Sequence, residues 1–127
     1  MRNFAIISLL ALVGTAIAAA LPSSYDSAKQ VWEQSKDRKE YQTYLGEFVQ
    51  FNNHFHLDEK DGCYALGTEP VELMLLITHK SGEQFADIEA VFTSVDNPKA
   101  SCFKKTYRGL KTKVPPFTPF VLQMGMR

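Results

Sequence analysis

The stretch Val71–Thr78, with the sequence VELMLLIT, decides the fold class of this chain. It is apolar and carries β-branched residues, and its length suits a strand but is too short for a separate helix. Pro70 immediately precedes it, and proline is tolerated at the first position of a strand. The stretch therefore predicts a largely apolar β-strand.

A second strand is predicted over Phe85–Ser94, where apolar and polar residues alternate. The residues between the two strands, His79–Glu83, have the composition of a turn. Two strands joined by so short a loop predict an antiparallel hairpin. The apolar residues assigned to one face of the second strand are Ala86, Ile88, Ala90 and Phe92.

A helix and a third strand are predicted after the hairpin. Asn97, or Asp96 before it, can accept hydrogen bonds from the first N–H groups of a helix, and Pro98 suits the first helical position. Gly109 predicts the end of this helix. The apolar alternation over Phe117–Met126 predicts the last strand.

The residues before the hairpin are predicted to be mostly helical from Ser24 to about Asn53, with a break near residues 35–38. Apolar and aromatic side chains recur there at three- and four-residue spacing, which is typical of an amphipathic helix. Ser23 or Ser24 is the expected cap at the start.

This order of elements predicts an α+β fold of two layers, because the hairpin and its returning strand must bury their apolar face against helices. The expected organisation is a helical segment at residues 21–61 followed by a ββαβ unit at residues 62–127, together forming one compact domain.

The first twenty residues, MRNFAIISLLALVGTAIAAA, have the features of a cleavable signal peptide. Arg2 precedes an apolar run, and small residues crowd its end. The alternative is an uncleaved anchor, but the run is shorter than the roughly 20 apolar residues of a spanning helix. The sequence therefore predicts a periplasmic or secreted protein with no stable membrane span after cleavage.

The two cysteines of the chain, Cys63 and Cys102, are predicted to form a disulfide. An exported protein meets an oxidising environment, and only one intramolecular pairing exists. Free thiols, a metal pair and an intermolecular bridge are the alternatives. A disulfide closing this loop stabilises the fold by about 4 kcal/mol in the chain-entropy model.

The order of these features resembles the C-terminal domain of TonB-type proteins over residues 62–127. The resemblance is strongest to the AgmX/PglI-like C-terminal domains, where a Cys-Tyr pair precedes the first strand and a second cysteine lies on the helix. The residues that carry it are Cys63-Tyr64, Pro70, Ser81-Gly82, Thr93-Ser94, Cys102 and Pro115-Pro116-Phe117. It implies a ββαβ fold that works by protein contact. TonB-type energy transducers also have a membrane anchor and a long proline-rich span; this chain has a signal and a short helix instead, so energy coupling is not implied.

The charges of the chain are divided unevenly. No acidic residue follows Asn97, whereas seven basic residues do. Such an asymmetry can mark a surface for an acidic partner, although a solvated helix face is the alternative. The candidate partner-binding residues are Lys104, Lys105, Arg108, Lys111 and Lys113. Nucleic acid is not an expected partner of an exported protein whose charge is near zero.

Catalytic and metal-binding motifs are sparse in this sequence. Neither Gly-x-Ser-x-Gly nor His-Glu-x-x-His is present, so we expect neither enzymatic activity nor a cofactor. His54 and His56, with His79 approaching in space, are the candidate ligands for a metal such as zinc. This segment supports an alternative function, a periplasmic small-ligand or metal-binding protein.

The sequence thus favours an exported, non-catalytic protein that acts by protein–protein contact in the cell envelope, with inhibitors and immunity-type proteins as one subclass. Two docking modes are expected: contact with the basic helix, or addition of a partner strand to a sheet edge. The candidate edges are Thr118–Met126 and Phe85–Ser94.

Overall fold

The computed structural model describes residues 20–53 and 59–127, without the side chains of residues 53 and 59–61. Three helices precede the sheet: α1 (Tyr25–Ser35), α2 (Lys39–Asn53) and α3 (Glu59–Tyr64). The strands and the fourth helix follow as β1 (Val71–Thr78), β2 (Ala86–Thr93), α4 (Pro98–Tyr107), β3 (Lys111–Thr112) and β4 (Phe120–Met126). Residues 1–19 of the predicted signal peptide lie outside the described residues.

The four strands form one antiparallel sheet in the order β3-β2-β1-β4. Strand β1 lies in the middle and pairs along its length with β2 and β4. The α+β class and the ββαβ order are therefore confirmed. The two-residue strand β3 was not anticipated, because a pair of residues between turns has no periodicity to reveal it.

The predicted helix boundaries agree with local hydrogen bonding. Ser24 caps α1 by accepting a bond from the N–H of Ser27, and Asn97 caps α4 by accepting one from Ala100 at 2.8 Å. Pro98 occupies the first turn of α4, where its missing N–H costs nothing. The expected break near residues 35–38 separates α1 from α2.

Strand β2 contains a bulge that corrects the predicted face. Leu76 pairs with Ala90 and Ile77 pairs with Ile88, so Glu89 is an extra residue. An inserted residue reverses the alternation of side chains beyond it. The prediction that all four apolar residues share one face is therefore wrong. Ala86 and Ile88 face one core cluster, with Val91, whereas Ala90 and Phe92 face the other.

Helices cover both faces of the sheet, one layer more than the sequence predicts. The larger core lies between the sheet and α2, α3 and α4, and includes Phe48, Phe103 and Phe120. On the opposite face, Ala28 of α1 packs with Met74 and two further sheet residues. The short apolar stripe of α1 does not indicate which face it covers, so the sequence could not place this helix.

The predicted disulfide between Cys63 and Cys102 is present, with a Cα–Cα distance of 5.4 Å. It joins α3 to α4 and so attaches the segment before the sheet to the helix that crosses it. The free-thiol and metal-pair alternatives are excluded. Among the helices of the two described ranges, none is long and apolar enough to cross a membrane.

Candidate interaction surface

Helix α4 and Arg108, the residue that caps its C-terminus, present three neighbouring cations to solvent. The opposite side of α4 is anchored in the core through Phe103 and Tyr107, which are almost completely buried. This anchoring turns Lys104, Lys105 and Arg108 outward, and all three are exposed. We call these three residues the α4 basic surface.

The structure separates the five predicted partner-binding residues into two groups. Lys111 forms an ion pair with Asp87, and Lys113 forms one with Glu47 at 2.9 Å. The hydrogen bond to Asp87 raises the pKa of Lys111 above its usual value. The α4 basic surface has no ion pair with any residue in the described part of the chain. Its charges are therefore available to another molecule.

A further cation of the basic C-terminal region is buried. Lys99 is 1 % exposed, and its Nζ donates a hydrogen bond to the carbonyl of Glu69 at 2.8 Å. The ammonium also lies 5.3 Å from the centre of the Tyr64 ring. Lys99 thus fixes the loop before β1 and adds nothing to the surface charge. Nothing in the sequence distinguishes it from its exposed neighbours.

A shallow pocket lies on the Lys104 side of the basic surface. Its volume is about 380 Å³, and we call it the Lys104 pocket. Residues from α1, the end of β2 and α4 line it: Tyr25, Phe92, Thr93, Ser94, Val95, Asp96 and Lys104. Asp96 is exposed and adds one negative charge to the lining of this pocket.

A second pocket of about 310 Å³ lies on the Arg108 side, and we call it the Arg108 pocket. Its lining residues are Thr78, Lys80, Asp87, Ile88, Glu89, Arg108, Gly109 and Lys111. Both acids have partners, since Asp87 pairs with Lys111 and Glu89 accepts a hydrogen bond from Thr78 at 3.2 Å. Within the described ranges, Lys80, Arg108 and Glu89 are in no ion pair, and Glu89 keeps its charge because Thr78 is neutral, so the lining carries one net positive charge.

The turn after α4 forms the wall of the Arg108 pocket. Gly109 has φ of 85°, a conformation that glycine adopts without steric cost. The turn directs the chain back along β2, where the N–H of Gly109 donates to Ile88 at 2.8 Å and the N–H of Ile88 donates to Leu110 at 2.9 Å. These bonds cover the first half of the outer edge of β2.

The second half of the β2 edge has no neighbouring strand in the described sheet. The N–H of Ser94 donates to Glu72 on β1, and backbone groups alternate in direction along a strand, so those of Val91 and Thr93 point outward. Val91 is nevertheless only 4 % exposed. The predicted edge at Phe85–Ser94 is thus paired in its first half, while in its second half the side chain of Val91 faces the core and Thr93 is half-buried.

The other predicted edge, Thr118–Met126, is crossed by the connection between α1 and α2. These helices lie on opposite faces of the sheet, so the chain must pass an edge between them. The hydroxyl of Tyr41 accepts hydrogen bonds from the N–H of Gln123 at 3.3 Å and from Nε1 of Trp32 at 2.9 Å. The guanidinium of Arg38 lies 3.9 Å from the centre of the Phe117 ring.

The metal hypothesis concerns residues that the structure largely leaves undescribed. His54 and His56 lie outside the described residues, while the Nε2 of His79 is 2.6 Å from the carbonyl oxygen of Glu83 in the turn between β1 and β2. Among the described residues, no group of three potential ligands is positioned to hold a metal ion.

An apolar groove on the outer side of α2 was not anticipated from the sequence. It has a volume of about 340 Å³ and lies between α2 and the segment before β4. Its lining residues are Lys39, Glu40, Thr43, Tyr44, Glu47, Val114 and Pro116. Val114 is 42 % exposed, so this groove includes one of the larger exposed apolar side chains.

Comparison with known proteins provides no relative: no protein-family model, no curated protein and no solved structure matches this chain. The resemblance to the TonB C-terminal domain therefore stays an expectation drawn from the order of its residues.

Proposed function

We propose that this chain is an exported, non-catalytic protein that binds an acidic protein partner through the α4 basic surface. One observation carries the proposal. Lys104, Lys105 and Arg108 are exposed without ion pairs in the described residues, whereas Lys111 and Lys113 are paired. A cluster of unpaired like charges favours association with a surface of opposite charge and guides the approach of the partner.

The disulfide supports the proposal that the protein is exported, because such bridges persist in oxidising environments such as the periplasm and the extracellular space. A small domain anchored by one disulfide suits an envelope protein that must keep its shape while it contacts another protein. Inhibitors and immunity-type proteins fit this description, as the sequence suggests.

The test uses the chain from residue 21, produced under oxidising conditions, as bait for envelope proteins of its own cell. A charge-reversed variant replaces Lys104, Lys105 and Arg108 by glutamate. A matched control reverses Lys29 on α1, Lys36 at the C-terminal cap of α1 and Lys39 on α2, which changes the net charge equally. Thermal melts of both variants verify that each is folded.

We expect wild type and control to capture the same stoichiometric partner and the α4 variant to lose it. Capture should also weaken as salt is raised, because salt screens exposed charges over about 10 Å at 0.1 M. A partner that the α4 variant retains would place the docking surface elsewhere and refute the proposal.

A second candidate function, binding of a small ligand, is supported by the apolar groove beside Tyr44 and Val114. Its volume lies at the lower end of the usual range of ligand pockets. The metal form of this alternative predicts that zinc raises the melting temperature and that alanine at His54 and His56 removes the effect.

A further inference from the structure

We infer that the acidic partner contributes an extended segment that adds to the sheet as a strand, along the second half of the β2 edge and beside the α4 basic surface. This inference rests on the proposed function, because it assigns the conformation in which the partner's acidic residues meet that surface. The two docking modes that the sequence predicts, strand addition and contact with the basic helix, then belong to one surface.

The backbone of Thr93 is oriented to receive a strand. The N–H of Ser94 donates to the carbonyl of Glu72 on β1, and backbone groups alternate in direction, so those of Thr93 point away from β1. Strand β3 does not extend this far, since it pairs only with Ala86 and Asp87. Neither backbone group of Thr93 has a hydrogen-bond partner among the described residues. Unpaired groups of this kind on a sheet edge are a template for another strand.

The Lys104 pocket lies across this open edge. Phe92 packs with the core cluster on the α1 face of the sheet, and Val95 packs with the cluster on the opposite face. Both residues line the pocket, together with the two residues between them, so the backbone of this segment forms its floor. Tyr25 of α1 lines the pocket from one face and Lys104 of α4 from the other. A strand added here therefore lies in a cleft between two helices.

The charges around this floor favour an acidic strand. Among the charges that line the two pockets without an ion pair to a described residue, three are positive and two are negative: Lys80, Lys104, Arg108, Glu89 and Asp96. Lys105 adds another exposed positive charge beside the pockets. Acidic side chains on the α4 side of the added strand thus meet an excess of cations while its backbone bonds to the edge.

The open part of the edge is short, so binding needs both contributions. Val91 is only 4 % exposed, which leaves Thr93 as the main source of backbone contacts. Two hydrogen bonds to one residue do not hold a peptide by themselves, because each replaces a bond to water. The cations supply the remaining affinity, and removal of either contribution should abolish binding.

The experiment titrates isotope-labelled, oxidised protein from residue 21 with synthetic peptides at low salt and records amide chemical shifts. The first peptide has the core Glu-Val-Glu-Val-Glu. Two further peptides are N-methylated, one at its valines and the other at its glutamates. Only alternate residues of an added strand bond to the edge, so each N-methylated peptide is the control for the other. A fourth peptide replaces the glutamates by glutamine.

We expect the first peptide to bind in the millimolar range, to shift the amides of Thr93 and Ser94 and to slow hydrogen exchange at Thr93. One N-methylated peptide should bind about as well as the first. The other should bind at least about tenfold more weakly, because its methyl groups remove the donors that face the edge. The glutamine peptide should not bind.

Variants of the protein test the same two contributions. Thr93→Pro removes the outward N–H at a place where an edge strand tolerates proline, and it should lose binding. The matched control Thr93→Val keeps the N–H and the branched shape and should bind. K104E/R108E should also lose binding, whereas K36E/K39E, with the same change of charge, should keep it.

Equal effects of the two N-methylations, whether both peptides bind or neither does, would overturn the inference. Shifts confined to β4, or no binding of the first peptide, would overturn it as well. Protection of Thr93 that rises with protein concentration, without peptide, would show that a second copy occupies the edge and would also refute it. The proposed function is tested separately, because capture of a partner through the α4 basic surface requires neither the peptide nor the backbone of Thr93.

Discussion

The hydroxyl of Tyr41, on α2, accepts a hydrogen bond from the backbone N–H of Gln123, on the edge strand β4, at 3.3 Å. The same oxygen accepts a bond from Nε1 of Trp32 on α1 at 2.9 Å. One side chain thus joins the helices on the two faces of the sheet to the strand between them. Tyr41 is 3 % exposed, and its burial raises the pKa of the hydroxyl.

Replacement of Tyr41 by phenylalanine should lower the free energy of unfolding by about 1–3 kcal/mol, because two part-buried donors then lack an acceptor. Urea denaturation measures the change. The matched control is Tyr107→Phe, since Tyr107 is equally buried but its hydroxyl has no hydrogen bond to a described residue. Equal losses in the two variants would show that the shared acceptor adds no stability.

Removal of the Cys63–Cys102 disulfide should cost about 4 kcal/mol of unfolding free energy, because the bridge restricts the unfolded chain across a sequence separation of 39 residues. The measurement compares denaturation of wild type with and without reductant. The control is the double variant Cys63→Ala/Cys102→Ala, whose stability should not respond to reductant. If reductant also changed the stability of that variant, the loss seen in wild type could not be assigned to the disulfide.

The fold followed from the sequence wherever one local signal was sufficient. Val71–Thr78 is a strand with the predicted bounds, and the Asn97-Pro98 start of α4 agrees with its capping chemistry. The bulge at Glu89 was missed because one inserted residue leaves composition unchanged while reversing every side chain beyond it. The face covered by α1 depends on long-range packing, which a single sequence does not encode in any periodic pattern.

The candidate site was predicted only in part for a related reason. The sequence shows that the C-terminal region is basic, but pairing and burial decide which cations remain available. Lys99 is buried, Lys111 is paired with Asp87 and Lys113 is paired with Glu47. Each of these partners lies at least 24 residues away in the chain, so only the folded arrangement separates these residues from the α4 basic surface.

Alkaline pH should destabilise the protein through Tyr44. Burial raises the pKa of this hydroxyl to about 12, from the ordinary value near 10. Because the folded-state pKa is the higher one, this stabilisation is complete below pH 10 and is lost as the pH rises from about 10 to about 12. Within that window Tyr44 should lower the free energy of unfolding by at most about 1.4 kcal/mol per pH unit.

The comparison with Tyr44→Phe isolates this contribution from that of the other titrating groups. The hydroxyl of Tyr44 donates to the carbonyl of Lys113 at 2.7 Å, so the variant should be less stable than wild type at neutral pH. Its stability should then fall less steeply between pH 10 and pH 12. Parallel curves for the two proteins would assign the alkaline loss to other residues.

Two glycines should respond to alanine with opposite signs. Gly109 has φ of 85°, so a side chain there is strained although nothing lies within 4 Å of the added Cβ. Gly109→Ala should therefore lower the free energy of unfolding by about 1–2 kcal/mol. Gly46 lies inside α2, and its added Cβ also meets nothing within 4 Å. Gly46→Ala should raise stability by about 0.5–1 kcal/mol, because alanine loses less backbone entropy in a helix.

Chemical denaturation of the two variants under identical conditions measures both signs. The turn at Gly109 lines the same pocket as Arg108 of the α4 basic surface, so Gly109→Ala should also weaken capture of the acidic partner, while Gly46→Ala should leave capture unchanged. A Gly109→Ala protein as stable as wild type would mean that the turn after α4 adopts a conformation that alanine tolerates. The Arg108 pocket would then not be held in place by this glycine.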